Sequence, residues 1–197
     1  MEFNNNIGSV CVYCGSSGNV RPAFRDISTD LGRLMAKENI RLVYGGGHVG
    51  LMGLVADSVM KNGGQVTGII PHFLDELEVG HAGLTELIKT DNMHDRKMRM
   101  AELSDGFIVL PGGLGTLDET FEILTWKQLK LHDKPVVILN VDGYWDHLIS
   151  LIHHQVEENF ARQSHLNLFT VAGSAEEAIA QLRTNAPVHH DLNSKWT

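Results

Sequence analysis

The run Leu110-Pro111-Gly112-Gly113-Leu114-Gly115-Thr116-Leu117-Asp118-Glu119 joins a glycine-rich turn to an acid close behind it. An apolar stretch, Phe107-Ile108-Val109-Leu110, precedes it and reads as a buried strand, and a helical pattern follows from Thr116 to about Leu131. Glycines between a strand and a helix let the backbone turn sharply and approach a ligand closely. The first free N–H groups of the helix then face that ligand, and the helix dipole adds positive potential. Such a turn suits a phosphate. Glu119, one turn into the helix, is placed to reach the sugar of a bound nucleotide. A purely structural reading stands beside this one: Thr116-Leu117-Asp118-Glu119 fits a T-x-x-E capping box, with the glutamate bonding back to Thr116. Glu122 extends the same face, and either acid can equally be solvated.

A second cluster is Asn92-Met93-His94-Asp95-Arg96-Lys97-Met98-Arg99-Met100. On a helical wheel Leu103, Met100, Met93, Ala101 and Met98 share one broad arc, and Arg96 and Lys97 fall inside it. Asp95, Arg99 and Glu102 fall outside. Two adjacent cations on a buried face are costly without an anionic partner. Either both snorkel to solvent or they face a ligand, and the second reading is preferred here.

Two further glycine loops follow strands, Tyr44-Gly45-Gly46-Gly47-His48-Val49-Gly50-Leu51-Met52-Gly53 and Cys14-Gly15-Ser16-Ser17-Gly18. The first is a poor match to a dinucleotide fingerprint, because G-x-G-x-x-G belongs after the first strand; the second ends that strand. No G-x-x-x-x-G-K-[ST] is present, which argues against a P-loop NTPase. Three loops at neighbouring strand ends would line one crevice, suited to a nucleotide or another phosphorylated ligand. Cys11 and Cys14 form a C-x-x-C along an apolar strand, where structural thiols are expected because redox pairs open a helix. His48, His72, His81 and His94 lack metal-ligand spacing, so no metal is expected.

The elements that must hold these residues alternate along the chain. Strands are expected over 9–13, 41–44, 65–70, 107–110, 136–139 and about 168–171, and helices over 22–37, 51–61, 93–103, 117–131, 144–159 and 175–183. Residues 76–90 fit no regular pattern and read as a binding loop or flap. Continuous apolar strands alternating with helices indicate an α/β fold: a Rossmann-like doubly wound parallel sheet in a single domain over residues 1–186, with 187–197 a disordered tail. Ligands in such sheets bind at the carboxyl ends of the strands, near a topological switch point. The 197 residues, 43% hydrophobic, suffice for one core. A net charge of -8 argues against nucleic acid as a partner, since neutralising phosphates takes lysine and arginine. No apolar run approaches the length of a membrane span and no leader-type segment opens the chain, so neither a membrane nor export is expected and the cytoplasm is the expected location.

Taken together, these residues resemble the LONELY GUY (LOG-type) phosphoribohydrolases, which also carry an older "lysine decarboxylase-like" label. The family's P-G-G-x-G-T-x-x-E stands as Pro111 to Glu119, and its R-K pair as Arg96-Lys97. Similar segments are Cys11–Ser17, Tyr44–Gly47, Thr125-Trp126-Lys127-Gln128-Leu129 and His132-Asp133-Lys134-Pro135, and the likeness spans about residues 8 to 183. Asp118 departs from the glutamate that many members carry. The resemblance implies hydrolysis of the N-glycosidic bond of nucleoside 5′-monophosphates, cytokinin riboside monophosphates and AMP among them, without metal or organic cofactor. It implies catalytic roles for Arg96 and Glu119, and substrate contacts from Glu78, Arg96, Lys97, Gly112, Gly113, Leu114, Gly115, Thr116, Leu117, Asp118, Glu119 and Thr125. Thr125 lies six residues beyond Glu119, roughly 120° around the helix. One helix does not easily aim both at one small ligand, so a homodimer with shared sites is expected, with a higher oligomer left open. Two alternatives remain: a non-catalytic nucleotide or molybdenum-cofactor carrier on the same fold, and the decarboxylase of the older label. The latter lacks a lysine in an evident Schiff-base setting.

Overall fold

The computed structural model describes residues 6–78 and 80–184, apart from the side chains of residues 76–78. The tail expected over 187–197 lies outside the described residues. The chain runs β1 (Ser9–Tyr13), α1 (Pro22–Lys37), β2 (Arg41–Tyr44), α2 (Gly50–Lys61), β3 (Val66–Pro71), α3 (His72–Glu78), β4 (Glu86–Thr90), α4 (Met93–Glu102), β5 (Gly106–Val109) and α5 (Leu114–Gln128). It continues through β6 (Val136–Leu139), a 3₁₀ turn at Val141–Gly143, α6 (Asp146–Glu157), a 3₁₀ stretch at Gln163–Leu168, β7 (Thr170–Ala172) and α7 (Ala175–Thr184).

The strands form one sheet in the order β4-β3-β2-β1-β5-β6-β7, and every pairing is parallel. Parallel strands need crossovers, and the helices supply them on both faces. Alternate strand residues therefore enter different cores. Val10, Val12, Leu42, Ile108 and Val137 pack with Leu31 and Met35 of α1, Val55 and Val59 of α2, and Leu182 of α7. Cys11, Tyr13, Val43, Phe107 and Val136 pack with Met100 of α4, Ile123 and Leu124 of α5, and Leu148 and Ile152 of α6. The expected single α/β domain with a doubly wound parallel sheet is the one observed.

Successive strands are added outward in one direction from β1 to β4 and in the other from β5 to β7, so the switch point lies between the loops that follow β1 and β5. The loop after β2 is the next along the edge. All three glycine-rich loops thus meet at one end of the sheet.

The irregular flap expected over 76–90 is replaced by the end of α3 and by β4. β4 is an edge strand of sequence Glu-Leu-Ile-Lys-Thr with no fully buried position, so it lacks the apolar run that marks its neighbours. Cys11 and Cys14 are free and buried, and they belong to opposite cores. Burial pushes both thiols well above their ordinary range, which keeps them protonated and inert. Among the described residues no helix is long and apolar enough to cross a membrane.

Candidate active site

Backbone hydrogen bonds knit the loops together. The Gly15 N–H donates to the Pro111 carbonyl at 3.0 Å, the Leu110 N–H to Tyr13 at 2.9 Å, and the Leu51 N–H to Gly15 at 3.0 Å. The approach is close enough that a Cβ on Gly112 would collide with Thr116 Oγ1, and one on Gly15 would sit 3.2 Å from Gly112 Cα. Between the loops lies a cleft of about 290 Å³, lined by Cys14, Gly15 and Ser16, by Gly113–Thr116, and by Arg96, Asp118 and Glu119. Met52, Leu74 and Met93 add an apolar wall.

The glycine turn works through the start of α5. The helix begins at Leu114 with Gly113 as its N-cap, and its first internal bond runs from the Leu117 N–H to the Gly113 carbonyl at 3.0 Å. The N–H groups of Leu114, Gly115 and Thr116 consequently have no partner within the helix. Their residues line the cleft, where the helix dipole also favours an anion.

This start corrects the capping-box reading. Thr116 is not the cap: it sits inside the helix, only 3% exposed, and its carbonyl accepts a bond from Thr120 Oγ1 at 2.6 Å. Glu119 is left one turn further in, with its carboxyl toward the cleft. Burial raises its pKa to about 7, against a downward pull from the Arg96 charge; Asp118 and Glu122 push up and Lys97 pulls down. A carboxyl poised near neutrality in a cleft is a candidate for proton or charge chemistry.

Arg96 and Lys97 both turn inward on α4, each 8% exposed. Arg96 spans the ends of two strands: Nε donates to the Ile69 carbonyl at 3.1 Å and Nη2 to the Gly45 carbonyl at 2.9 Å. A side chain at Gly45 would occupy the place of that guanidinium. The glycine run after β2 thus houses a cation. Lys97 reaches the other way, with Nζ 3.0 Å from Asp118 and 3.2 Å from Glu122. Burial disfavours its charge, but the hydrogen bonds to Asp118 and Glu122 more than offset this and hold its pKa above the ordinary value. The wheel is wrong at Met98, which is 52% exposed on the opposite side from Met100. Asn92 caps α4, accepting from the Asp95 N–H at 2.9 Å, and so fixes the helix start that aims Arg96.

Of the residues singled out from sequence, Arg96, Gly113, Leu114, Gly115, Thr116, Asp118 and Glu119 meet at the cleft. Gly112 lies behind the turn, Leu117 packs against the α4–α6 core, and Lys97 is engaged by its two carboxylates. Thr125 is exposed and lines a separate groove of about 220 Å³ with Phe121, Leu124 and Phe160. Glu78 ends α3, and its side chain lies outside the described part of the structure. Sequence reasoning did not assign Leu74, Met52 and Met93 to the site. The methionines carried a signal in the Gly50–Gly53 segment and the α4 arc, whereas Leu74 carried none.

A larger depression of about 520 Å³ lies at the opposite, amino end of the sheet. Its charged groups Arg41 and Asp105 are already engaged there, Arg41 with Gln65 and Asp105 with the Gly8 and Ser9 N–H groups. Among the described residues no group of three or more His, Cys, Asp or Glu is arranged to hold a metal.

A family model described as "possible lysine decarboxylase" matches residues 52–182. A cytokinin riboside 5′-monophosphate phosphoribohydrolase of Arabidopsis thaliana is 44% identical over 189 residues, covering 95% of this chain and 83% of that protein. Another from the same plant is 42% identical over 195 residues, covering 99% of this chain and 92% of its own length. Among solved structures, the molybdenum cofactor binding protein from Rippkaea orientalis superposes with a TM-score of 0.65 and 26% identity, over 87% of this chain and 93% of that one.

Proposed function

The chain belongs to the LONELY GUY-type family of cytokinin riboside 5′-monophosphate phosphoribohydrolases, and we propose from that membership that it hydrolyses the N-glycosidic bond of nucleoside 5′-monophosphates. Water adds at C1′ of the ribose, the C1′–N bond breaks, and the base leaves with the bonding pair and takes up a proton. The products are free base and ribose 5-phosphate. Cytokinin riboside 5′-monophosphates are the principal substrates of this reading, with AMP as a second. The observation that carries it is that Glu119, electrostatically coupled to Arg96, lines the same cleft as the start of α5, whose first amides have no partner within the helix.

In this reading the 5′-phosphate docks on the N–H groups of Gly113 to Thr116, and its binding energy orients the scissile bond. Departure of the base builds positive charge on the ribose, as in glycoside hydrolysis. The Glu119 carboxylate stabilises that charge, holds ribose hydroxyls and positions water. Arg96, rigid on its two carbonyls, favours the ionised form of Glu119 against the pull of burial. Met52, Leu74 and Met93 offer an apolar face for the base. Lys97, held by Asp118 and Glu122, offsets the charge of the acids that flank Glu119.

Incubation with AMP and with N6-isopentenyl-AMP, followed by chromatography, tests the proposal. Adenine or N6-isopentenyladenine is expected, in equimolar amount with ribose 5-phosphate. Binding of both nucleotides without release of base would favour a non-catalytic carrier, a reading the fold shared with a cofactor-binding protein keeps in view. The older decarboxylase label fits poorly, because the lysine nearest the cleft, Lys97, is bound by two carboxylates and held protonated.

The same reading includes a homodimer. Thr125 points away from the cleft of its own chain, so a contact with substrate requires the partner's helix. Leu114 at 86% exposure, Phe121 and Leu129 leave an apolar stripe along α5 that begins at the cleft, and Phe160 at 88% exposure flanks the groove beside Thr125. Burying such a stripe against its twofold copy is the commonest symmetric solution. Light scattering is expected to give twice the chain mass. A monomer with full activity would overturn the shared site.

A further inference from the structure

The Gly112–Gly113 peptide carries the first amide of the anion cradle, and nothing in its own sequence fixes which way it faces. Two successive glycines rotate with little steric restraint. In a trans peptide the carbonyl of one residue and the N–H of the next point in opposite directions. A flip of this single unit would replace an N–H donor in the cleft by a carbonyl oxygen, which repels phosphate. Resting on the phosphate-binding role given to this turn above, we propose that Tyr144 is a positioning residue: its hydroxyl holds the Gly112 carbonyl outward and thereby holds the Gly113 N–H inward.

The Tyr144 hydroxyl donates to the Gly112 carbonyl at 2.7 Å, across 32 residues of sequence. Gly113 lines the cleft, whereas Gly112 and Tyr144 do not, so the bond grips the peptide from behind. The ring is itself held, edge-on to Phe24 at 5.1 Å and to Trp145 at 4.8 Å. Phe24 carries the Arg21 guanidinium 4.3 Å above its face, and Arg21 pairs with Asp142 at 3.5 Å. The backbone that presents the tyrosine is equally specific. Asp142 and Gly143 both have positive φ, of 49° and 68°, and Asn140 Oδ1 accepts from the Trp145 N–H at 2.7 Å. A turn with two left-handed residues, one of them not glycine, is a costly way to place a side chain that only covers surface. Here it delivers one hydroxyl to one carbonyl.

Tyr144→Phe removes the hydroxyl and keeps the ring. Loss of one hydrogen bond and partial population of the flipped peptide are expected to weaken ribose 5-phosphate binding, measured by calorimetry, about tenfold. KM for AMP rises by a similar factor, while kcat changes less than about threefold, because substrate once bound selects the inward-facing peptide and the remaining amides still orient the scissile bond. The melting temperature stays near that of the parent, and adenosine, which lacks the phosphate, binds both proteins alike. Tyr144→Leu, which loses the ring as well, separates packing from the hydroxyl: it lowers the melting temperature and weakens ribose 5-phosphate at least as much. Unchanged affinity for ribose 5-phosphate in Tyr144→Phe would overturn the proposal, as would equal weakening of adenosine. Because ribose 5-phosphate binding is read without turnover, failure of the wild-type protein to release base would count against the hydrolase reading and leave this measurement standing.

Discussion

Glu119→Gln is expected to lower base release from AMP by about 10³-fold or more while the protein folds as before. The substitution keeps size and hydrogen-bonding capacity but removes the negative charge that faces the developing ribosyl cation. Preorganised charges of this kind and general acid–base groups each contribute on the order of 10² to 10⁴ in rate. A capping glutamate would instead affect stability, by about 1 kcal/mol, and leave rate alone; the start of α5 at Leu114 removes that role. The raised pKa of about 7 adds a second reading of the same residue. Catalysis through the ionised carboxylate makes kcat/KM fall about tenfold per pH unit below that pKa. The sign for stability is opposite. Holding the carboxyl protonated favours the empty folded state at low pH, and this stabilisation is lost as pH rises from the ordinary glutamate range through about 7. Glu119→Gln therefore melts higher than the parent on the alkaline side and not on the acid side. Near-normal turnover in the variant, or a flat rate profile across neutrality, would remove Glu119 from the chemistry.

Adenosine is expected to be a poorer substrate than AMP by about three orders of magnitude or more in kcat/KM. Gly113, Leu114, Gly115 and Thr116 line the cleft at the start of α5, where the first amides have no partner inside the helix, and in this reading a phosphate dianion meets several of them at once. Charge-assisted hydrogen bonds contribute roughly 1.5–3 kcal/mol each, and about 1.4 kcal/mol is a factor of ten. Two to three such bonds realised in the transition state give the stated ratio. Remote binding energy of this sort appears in kcat as well as in KM, since it orients the bond that breaks. EDTA is expected to leave AMP cleavage unchanged. Comparable kcat/KM values for the two substrates would show that the turn does not anchor the phosphate, and a plain nucleosidase would replace the present reading.

Much of the frame was legible from periodicity alone. Runs such as Val136-Val137-Ile138-Leu139 are apolar on both faces because helices cover both, and β1, β2 and β6 fall where the pattern puts them. β4 escaped because an edge strand is half exposed and shares its composition with loops. The pattern starts the helix after the glycine turn at Leu117, three residues late, since Leu114-Gly115 carries little helical preference and the tertiary fit of the turn against Gly15 decides where the helix begins. The inward face of α4 was readable at Arg96 and Lys97 but not at Met98, because a wheel assigns a broad arc and only neighbours define its edge.

The sequence by itself determined the local pieces: the strand–turn–helix of Pro111 to Glu119, the cations on one face of α4, and the alternation that demands a parallel sheet. Each depends on residues a few positions apart, whose relation is set by the helix or strand they share. Tertiary structure alone decided the partners. It brought Arg96 to carbonyls 27 and 51 residues away, gave Lys97 to Asp118 and Glu122, and set the Tyr144 hydroxyl on Gly112. It also set the surroundings of the Glu119 carboxyl. A carboxyl's pKa depends on how much water is excluded and which charges stand nearby, and those are properties of the packed sheet end rather than of the T-x-x-E pattern.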